Sequence, residues 1–147
     1  MTPTTGTGML SSTAAYALRA VLYVARHQAQ GPVRVGDAAA ALGLPQNYLA
    51  KVLHELARSG LLLSTRGKRG GFRLAKAPHH IALHTVVDRF DGIGTRRRCL
   101  LGRRDCSDRH PCPAHGRWRA IGDETARFFR DTTVGQLLDG AAAPVPS

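Results

Sequence analysis

The sequence predicts a mainly α-helical fold with a small β-hairpin wing. The architecture is a winged helix-turn-helix domain followed by a long C-terminal helix. Three observations predict it. Two short helix-like segments, "VGDAAAALG" and "LPQNYLAKVLHELARSG", flank a turn containing a glycine. Directly after them a Gly-rich basic turn, "RGKRGG", joins two strand-like runs. Basic charge gathers in this same half: residues 1–80 hold ten Lys and Arg against Asp37 and Glu55, whereas residues 81–147 hold eleven Arg against eight acids. A basic half of this kind is the electrostatic footprint of nucleic-acid binding.

Each element follows in order. Residues 1–8 are rich in Thr, Gly and Pro and read as a disordered extension. Ser11 and Ser12 suit the N-cap of a helix over "TAAYALRAVLYVARHQ", with Leu18, Val21, Leu22 and Ala25 as its apolar face. Gly31–Pro32 closes that helix. A second helix spans 35–43 and ends at Gly43. Pro45 fits the first turn of a third. There Leu49, Val52, Leu53 and Leu56 form an inward stripe, while Gln46, Asn47, Ala50, Lys51, His54 and Glu55 face elsewhere. Two short helices about a tight turn are a helix-turn-helix.

"LLLST" and "FRLAK" then read as two strands of a hairpin with Arg66, Lys68 and Arg69 at its tip. Helix, turn, helix and basic hairpin make a winged helix. A helix fits the major groove and offers side chains to base edges. A thin basic hairpin can follow the phosphate backbone or enter the narrower groove. The winged-helix domain is expected to run from 9 to 92, closing with a short helix that carries Ile81, Leu83, Val86, Val87 and Phe90 and ends at Gly92. A cysteine-rich loop follows over 93–115. A long helix and a final turn occupy 116–138. Trp118, Ile121, Thr125 and Phe128 or Phe129 make its stripe, which can cover its own domain or a second copy. Residues 139–147 read as a disordered tail.

Composition narrows the classes. No apolar run approaches the roughly 20 residues of a membrane span. The N-terminus carries no secretion signal, so a cytoplasmic protein with reduced thiols and no membrane partner is expected. No Gly-rich nucleotide loop joins a strand to a helix, and no nucleophile–base set stands out. The chain is therefore expected not to be an enzyme and to have no small-molecule substrate.

All three cysteines lie within fourteen positions, in the pattern Cys99-x6-Cys106-x5-Cys112-x2-His115. An odd number of thiols does not close a disulfide set. Three Cys and one His would make a tetrahedral zinc site. Three thiolates with one further ligand would also hold an iron–sulfur cluster. Bare loop thiols are the third reading. His110 competes with His115 as the non-cysteine ligand, although a solvated loop histidine suits it better. Arg96, Arg97, Arg98, Arg103 and Arg104 surround the loop and would either lower thiol pKa or form a solvated charge run.

Taken together and in order, "AAYALRAVLYVA", "LPQNYLAKVLHELARSGLL", "STRGKRGGFRLAK", "IALHTVVDRFDG", the cysteine loop and "HGRWRAIGDETARFFRDTTVGQLL" give a resemblance over about residues 9–139. The chain resembles the winged-helix iron–sulfur transcription regulators (Rrf-type) typified by IscR and NsrR. The resemblance implies a homodimer bound to double-stranded operator DNA, with 116–138 as its dimerisation helix and final turn. It places the recognition helix at 45–59, with Gln46, Asn47, Tyr48, Ala50 and Lys51 on its exposed N-terminal side, and the wing arginine at Arg66. Lys68 and Arg69 add charge at the wing. Two departures accompany it. Ala50 stands where IscR has an acidic residue that checks base choice. Lys68 and Arg69 stand where Pro and Gly are usual. The family's operator sequence therefore does not carry over.

For the cofactor, the resemblance implies an iron–sulfur cluster on Cys99, Cys106 and Cys112. In the IscR branch the fourth ligand is a histidine after a two-residue gap, the place His115 occupies. In the NsrR branch it is an aspartate from the partner, and the matching position here is Ala15, which cannot ligate. The resemblance thus implies [2Fe-2S] on Cys99, Cys106, Cys112 and His115. A [4Fe-4S] cluster is the other type within the family. The first gap, one residue longer than in IscR, also admits a cluster-free regulator that senses through thiols. The expected function is an operator-binding regulator that reads redox state, nitric oxide or iron and cluster supply. A zinc-binding nucleic-acid module or a small redox protein is the alternative from another class.

Overall fold

The computed structural model describes residues 10–91 and 115–140. In chain order they form α1 (Ser12–His27), α2 (Val35–Leu42), α3 (Gln46–Arg58), β1 (Leu62–Thr65), β2 (Gly71–Leu74), α4 (Leu83–Val87), α5 (His115–Asp131) and α6 (Val134–Asp139). Single 3-10 turns follow α1 and precede α4. A mainly helical fold with one hairpin is what the sequence predicts.

Helix α1 is the central beam and touches α2, α3, α4, α6 and β2. Ser11 caps it, its hydroxyl accepting from the Ala14 N–H at 3.1 Å. Such a cap contributes about 1 kcal/mol. The fully buried face is Ala14, Ala17, Ala20, Val21 and Val24. The expected face is present but broader: Val21 is buried, and Leu18, Leu22 and Ala25 are half-buried and packed against the core. Small residues take the centre because the neighbouring elements approach the α1 backbone closely, and larger side chains fill the flanks.

Helix α2 ends at Gly43, whose φ of 69° is left-handed. The Leu44 N–H reaches back to the Ala39 carbonyl at 3.0 Å, so the chain reverses tightly. On α3 the predicted stripe holds: Leu49, Val52, Leu53 and Leu56 are all buried. Each such side chain is worth roughly 1.5–3 kcal/mol relative to exposure.

Strands β1 and β2 pair antiparallel, with Leu62 opposite Leu74 and Thr65 opposite Gly71. Val33 adds a one-residue third strand to β2, exchanging N–H···O bonds with Phe72 at 2.8 Å in both directions. A Cβ on Gly71 would overlap the Val33 carbonyl, so glycine is what permits this approach.

The short helix expected to carry Ile81 to Phe90 and to end at Gly92 is confined to Leu83–Val87. Ile81 and Ala82 are extended because their backbone bonds elsewhere. Ile81 O accepts from the Val134 N–H, and the Leu83 N–H donates to Thr132 O, both at 2.8 Å. This bridge fixes the α5–α6 junction against the start of α4. Helix α5 packs on α4 and buries Phe129, while Ile121 is 46% and Phe128 50% exposed. Thr133 and Gln136 form a capping box at α6. That helix reaches Asp139, one residue into the expected tail.

Candidate nucleic-acid interface

The interface is assembled from two elements held on one core. Burial of Leu49, Val52, Leu53 and Leu56 fixes the rotation of α3. That rotation leaves Gln46, Asn47, Lys51 and His54 exposed. Asn47, Lys51 and His54 are spaced four and three residues apart, so they share a face. Gln46 leans toward α2, its Oε1 lying 3.6 Å from where a Cβ on Gly36 would stand. Ala50 is half-buried, and its carbonyl lies 2.7 Å from His54 Nδ1.

Tyr48 differs from the expected exposed set. It is half-buried and donates its hydroxyl to Thr13 Oγ1 of α1 at 2.9 Å. Tyr16 meets its ring edge-on, with centroids 6.0 Å apart.

The wing stands beside this helix. Arg66, Lys68 and Arg69 are all exposed at its tip. Two contacts place it that the sequence alone does not reveal. Arg34, just ahead of α2, donates to the Lys68 carbonyl. The His54 ring of α3 packs perpendicular to Phe72 of β2, with centroids 5.3 Å apart. No local signal announces either contact. Arg34 lies 34 residues from its partner, and His54 reads simply as an outward helix position. The nearby acid Glu55 is occupied, paired with Arg89 and lying 3.9 Å from Arg58. The surface presented by α3 and the wing is therefore cationic and polar, with a helix and a thin hairpin side by side.

The metal-site expectation falls elsewhere. Cys99, Cys106 and Cys112 lie outside the described residues, as do His110, Arg96, Arg97, Arg98, Arg103 and Arg104. His115 is the first residue of α5, and its side chain is likewise outside them. Among the described residues, no group of three or more His, Cys, Asp or Glu could hold a metal ion. Nor is any described helix long and apolar enough to cross a membrane.

Comparison with known proteins decides the family. Residues 10–140 match the family model Rrf2, "Iron-dependent Transcriptional regulator". The chain belongs to the Rrf2 family of transcriptional regulators. Among its Rrf2 relatives is the HTH-type transcriptional regulator IscR of Vibrio campbellii, 34% identical over 129 residues, or 88% of this chain and 76% of that protein. The fold is shared with T. potens IscR, at a TM-score of 0.72 and 24% identity, covering 94% of this chain and 92% of the other. It is shared equally with CymR of B. subtilis, described as the global cysteine regulator. There the TM-score is 0.74 at 21% identity, covering 89% of this chain and 96% of the other. The Rrf2 match and the IscR relatives bear out the expected resemblance, including its lean toward IscR.

Proposed function

We propose that this Rrf2 regulator is a cytoplasmic homodimer whose operator affinity is set by an iron–sulfur cluster. Gln46, Asn47 and Lys51 would meet the major groove, with Tyr48 behind them. Arg66, Lys68 and Arg69 would meet backbone phosphates. The observation that carries the DNA reading is the fixed pairing of an outward polar helix face with a basic wing. The half-exposed Ile121 and Phe128 of α5 supply the apolar surface for a second copy.

For the cofactor, the chemistry of the donor set fits. Cys99, Cys106, Cys112 and His115 offer three thiolates and an imidazole, the four ligands a cluster takes. Such a cluster, [2Fe-2S] rather than [4Fe-4S] on this donor set, supplies reversible redox chemistry when bound. His115 opens α5, so a ligand there would tie the loop to the helix that packs on α4.

Protein purified without oxygen is expected to be coloured and to carry iron and sulfide in equal amounts. A colourless protein with stoichiometric zinc, or with no metal, overturns the cluster. Cys112→Ala should lose the colour yet retain some DNA binding. A labelled duplex from upstream of its own gene should be retarded in a gel, and failure to bind any duplex overturns the DNA reading. The six-residue gap between Cys99 and Cys106 supports a second reading, a cluster-free regulator that senses through these thiols. Binding of operator by metal-free protein, reversed by thiol oxidation, would establish it.

A further inference from the structure

Tyr48 is the third residue of the recognition helix, on the turn that should read DNA, yet it points back into the protein. Its hydroxyl donates to Thr13 Oγ1 at 2.9 Å, across 35 residues of sequence. Tyr16, one turn further along α1, supports its ring at 6.0 Å and nearly perpendicular. Arg19 lies over the Tyr16 ring at 5.8 Å and reaches the Leu42 carbonyl at 3.4 Å, just before the Gly43 turn. The first two turns of α1 thus hold both the end of α2 and the start of α3.

The same end of α1 is held from a third direction. The Ser11 N–H donates to Asp91 Oδ2 at 2.7 Å, across 80 residues. Ser11 in turn caps the helix at Ala14. Asp91 directly precedes the segment that carries the cysteines. Ser11, which holds Asp91, and Thr13, which holds Tyr48, are less than one helical turn apart.

We infer that Tyr48 is a positioning residue rather than a base reader. It registers the recognition helix on α1 through Thr13, and Asp91 holds that same end of α1 through Ser11. The two contacts then share one coupling free energy. A change that moves Asp91 changes operator affinity without touching DNA. The inference rests on the DNA-binding reading above.

The test is a double-mutant cycle on an operator that the wild-type protein selects from a randomised duplex pool. Loss of one hydrogen bond should weaken binding about three- to tenfold. Tyr48→Phe and Thr13→Val should each do so, and the double variant should be no weaker than either alone. Thr13→Ser keeps the hydroxyl and should restore wild-type affinity. The salt dependence should stay that of the wild type, since no phosphate contact is lost. A loss with Tyr48→Phe but not Thr13→Val, fully additive losses, or a shallower salt slope overturns the inference and makes Tyr48 a DNA contact.

Amide hydrogen exchange on the free protein tests the Asp91 contact. Asp91→Ala should speed exchange at the Ser11-bonded amides of Ala14 and Ala15 and also at 49–52, the first bonded amides of α3. Acceleration confined to Ala14 and Ala15 overturns the link to α3. A wild type that selects no sequence counts against the DNA-binding reading, and the exchange result still decides the positioning role.

Discussion

Helices α3 and α5 are both amphipathic, yet they treat their apolar faces in opposite ways. In α3 all four stripe residues, Leu49, Val52, Leu53 and Leu56, are buried within the chain. In α5 Phe129 is buried, while Ile121 and Phe128 remain about half exposed. An amphipathic helix gains most of its stability from covering its apolar face. Helix α3 is therefore fixed by its own chain, and its outward side is free to act as a reading surface. Helix α5 is only partly satisfied, and the rest of its face is available to a partner. One helix is positioned from within, and the other leaves apolar surface uncovered.

The largest expected effect breaks the inward side. Leu53→Ala removes a fully buried side chain between α3 and the rest of the core. It should lower unfolding free energy by about 2–5 kcal/mol. Denaturant titration should show the same loss at every protein concentration. A loss that shrinks as concentration rises would place α3 at an interface and undo the contrast.

The next effect falls on α5. Phe128→Ser takes an apolar group from an already half-exposed site, so the isolated subunit should stay folded. A dimer formed across this face should instead weaken by about tenfold or more, because buried aromatic anchors dominate such interfaces. Sedimentation over a concentration series checks this, with Leu63→Ser as the control: Leu63 is 55% exposed on the wing and should leave association unchanged. Equal effects of the two would remove α5 as the association surface.

The same contrast explains what the sequence made legible. The α3 stripe was readable because large aliphatic residues recur at helical spacing and nothing competes for that face. The basic wing was readable from composition, since two strand-like runs about "RGKRGG" permit little else. The α1 face is legible only in part: Leu18, Val21, Leu22 and Ala25 do pack on the core, but the wholly buried Ala14, Ala17 and Ala20 have side chains too small to stand out from a helix rich in alanine. The Val33 strand and the Ala82–Thr133 bridge are single-residue pairings, too short to have a period. The inward turn of Tyr48 depends on Thr13, a partner that no local pattern can name. Of the candidate site, residue types announced the charged tips. The contacts that aim them, Arg34 to Lys68 and His54 to Phe72, belong to the tertiary structure. The cysteine pattern was legible as a donor set, and spacing alone did not choose between zinc and iron.

A smaller effect sharpens the contrast on the binding side. Arg66→Ala on the wing should weaken operator binding and lower the salt slope by about 1, as expected for one lost phosphate contact. Arg127→Ala removes the same charge from α5, where Arg127 pairs with Glu124 at 3.0 Å. It should leave the slope unchanged. Anisotropy titrations at several salt concentrations separate the two. Equal slopes for both variants would show net charge acting in place of a located contact.

The smallest effect tests whether α5 is as open as its residues imply. Gly122 lies in the middle of this helix, and a Cβ there would meet nothing within 4 Å among the described residues. Glycine in a helix interior costs about 1 kcal/mol relative to alanine. Gly122→Ala should therefore raise stability by up to about 1 kcal/mol, provided no second copy approaches the backbone at that point. Gly122 lies next to Ile121 in sequence but 100° round the helix, nearer the side on which Phe129 is buried. A dimer seated on Ile121 and Phe128 leaves that gain intact at every concentration. A dimer seated deeper would lose affinity when the methyl is added, while the monomer still gained stability. Thermal melts and sedimentation on this single variant thus tell which side of α5 the partner covers.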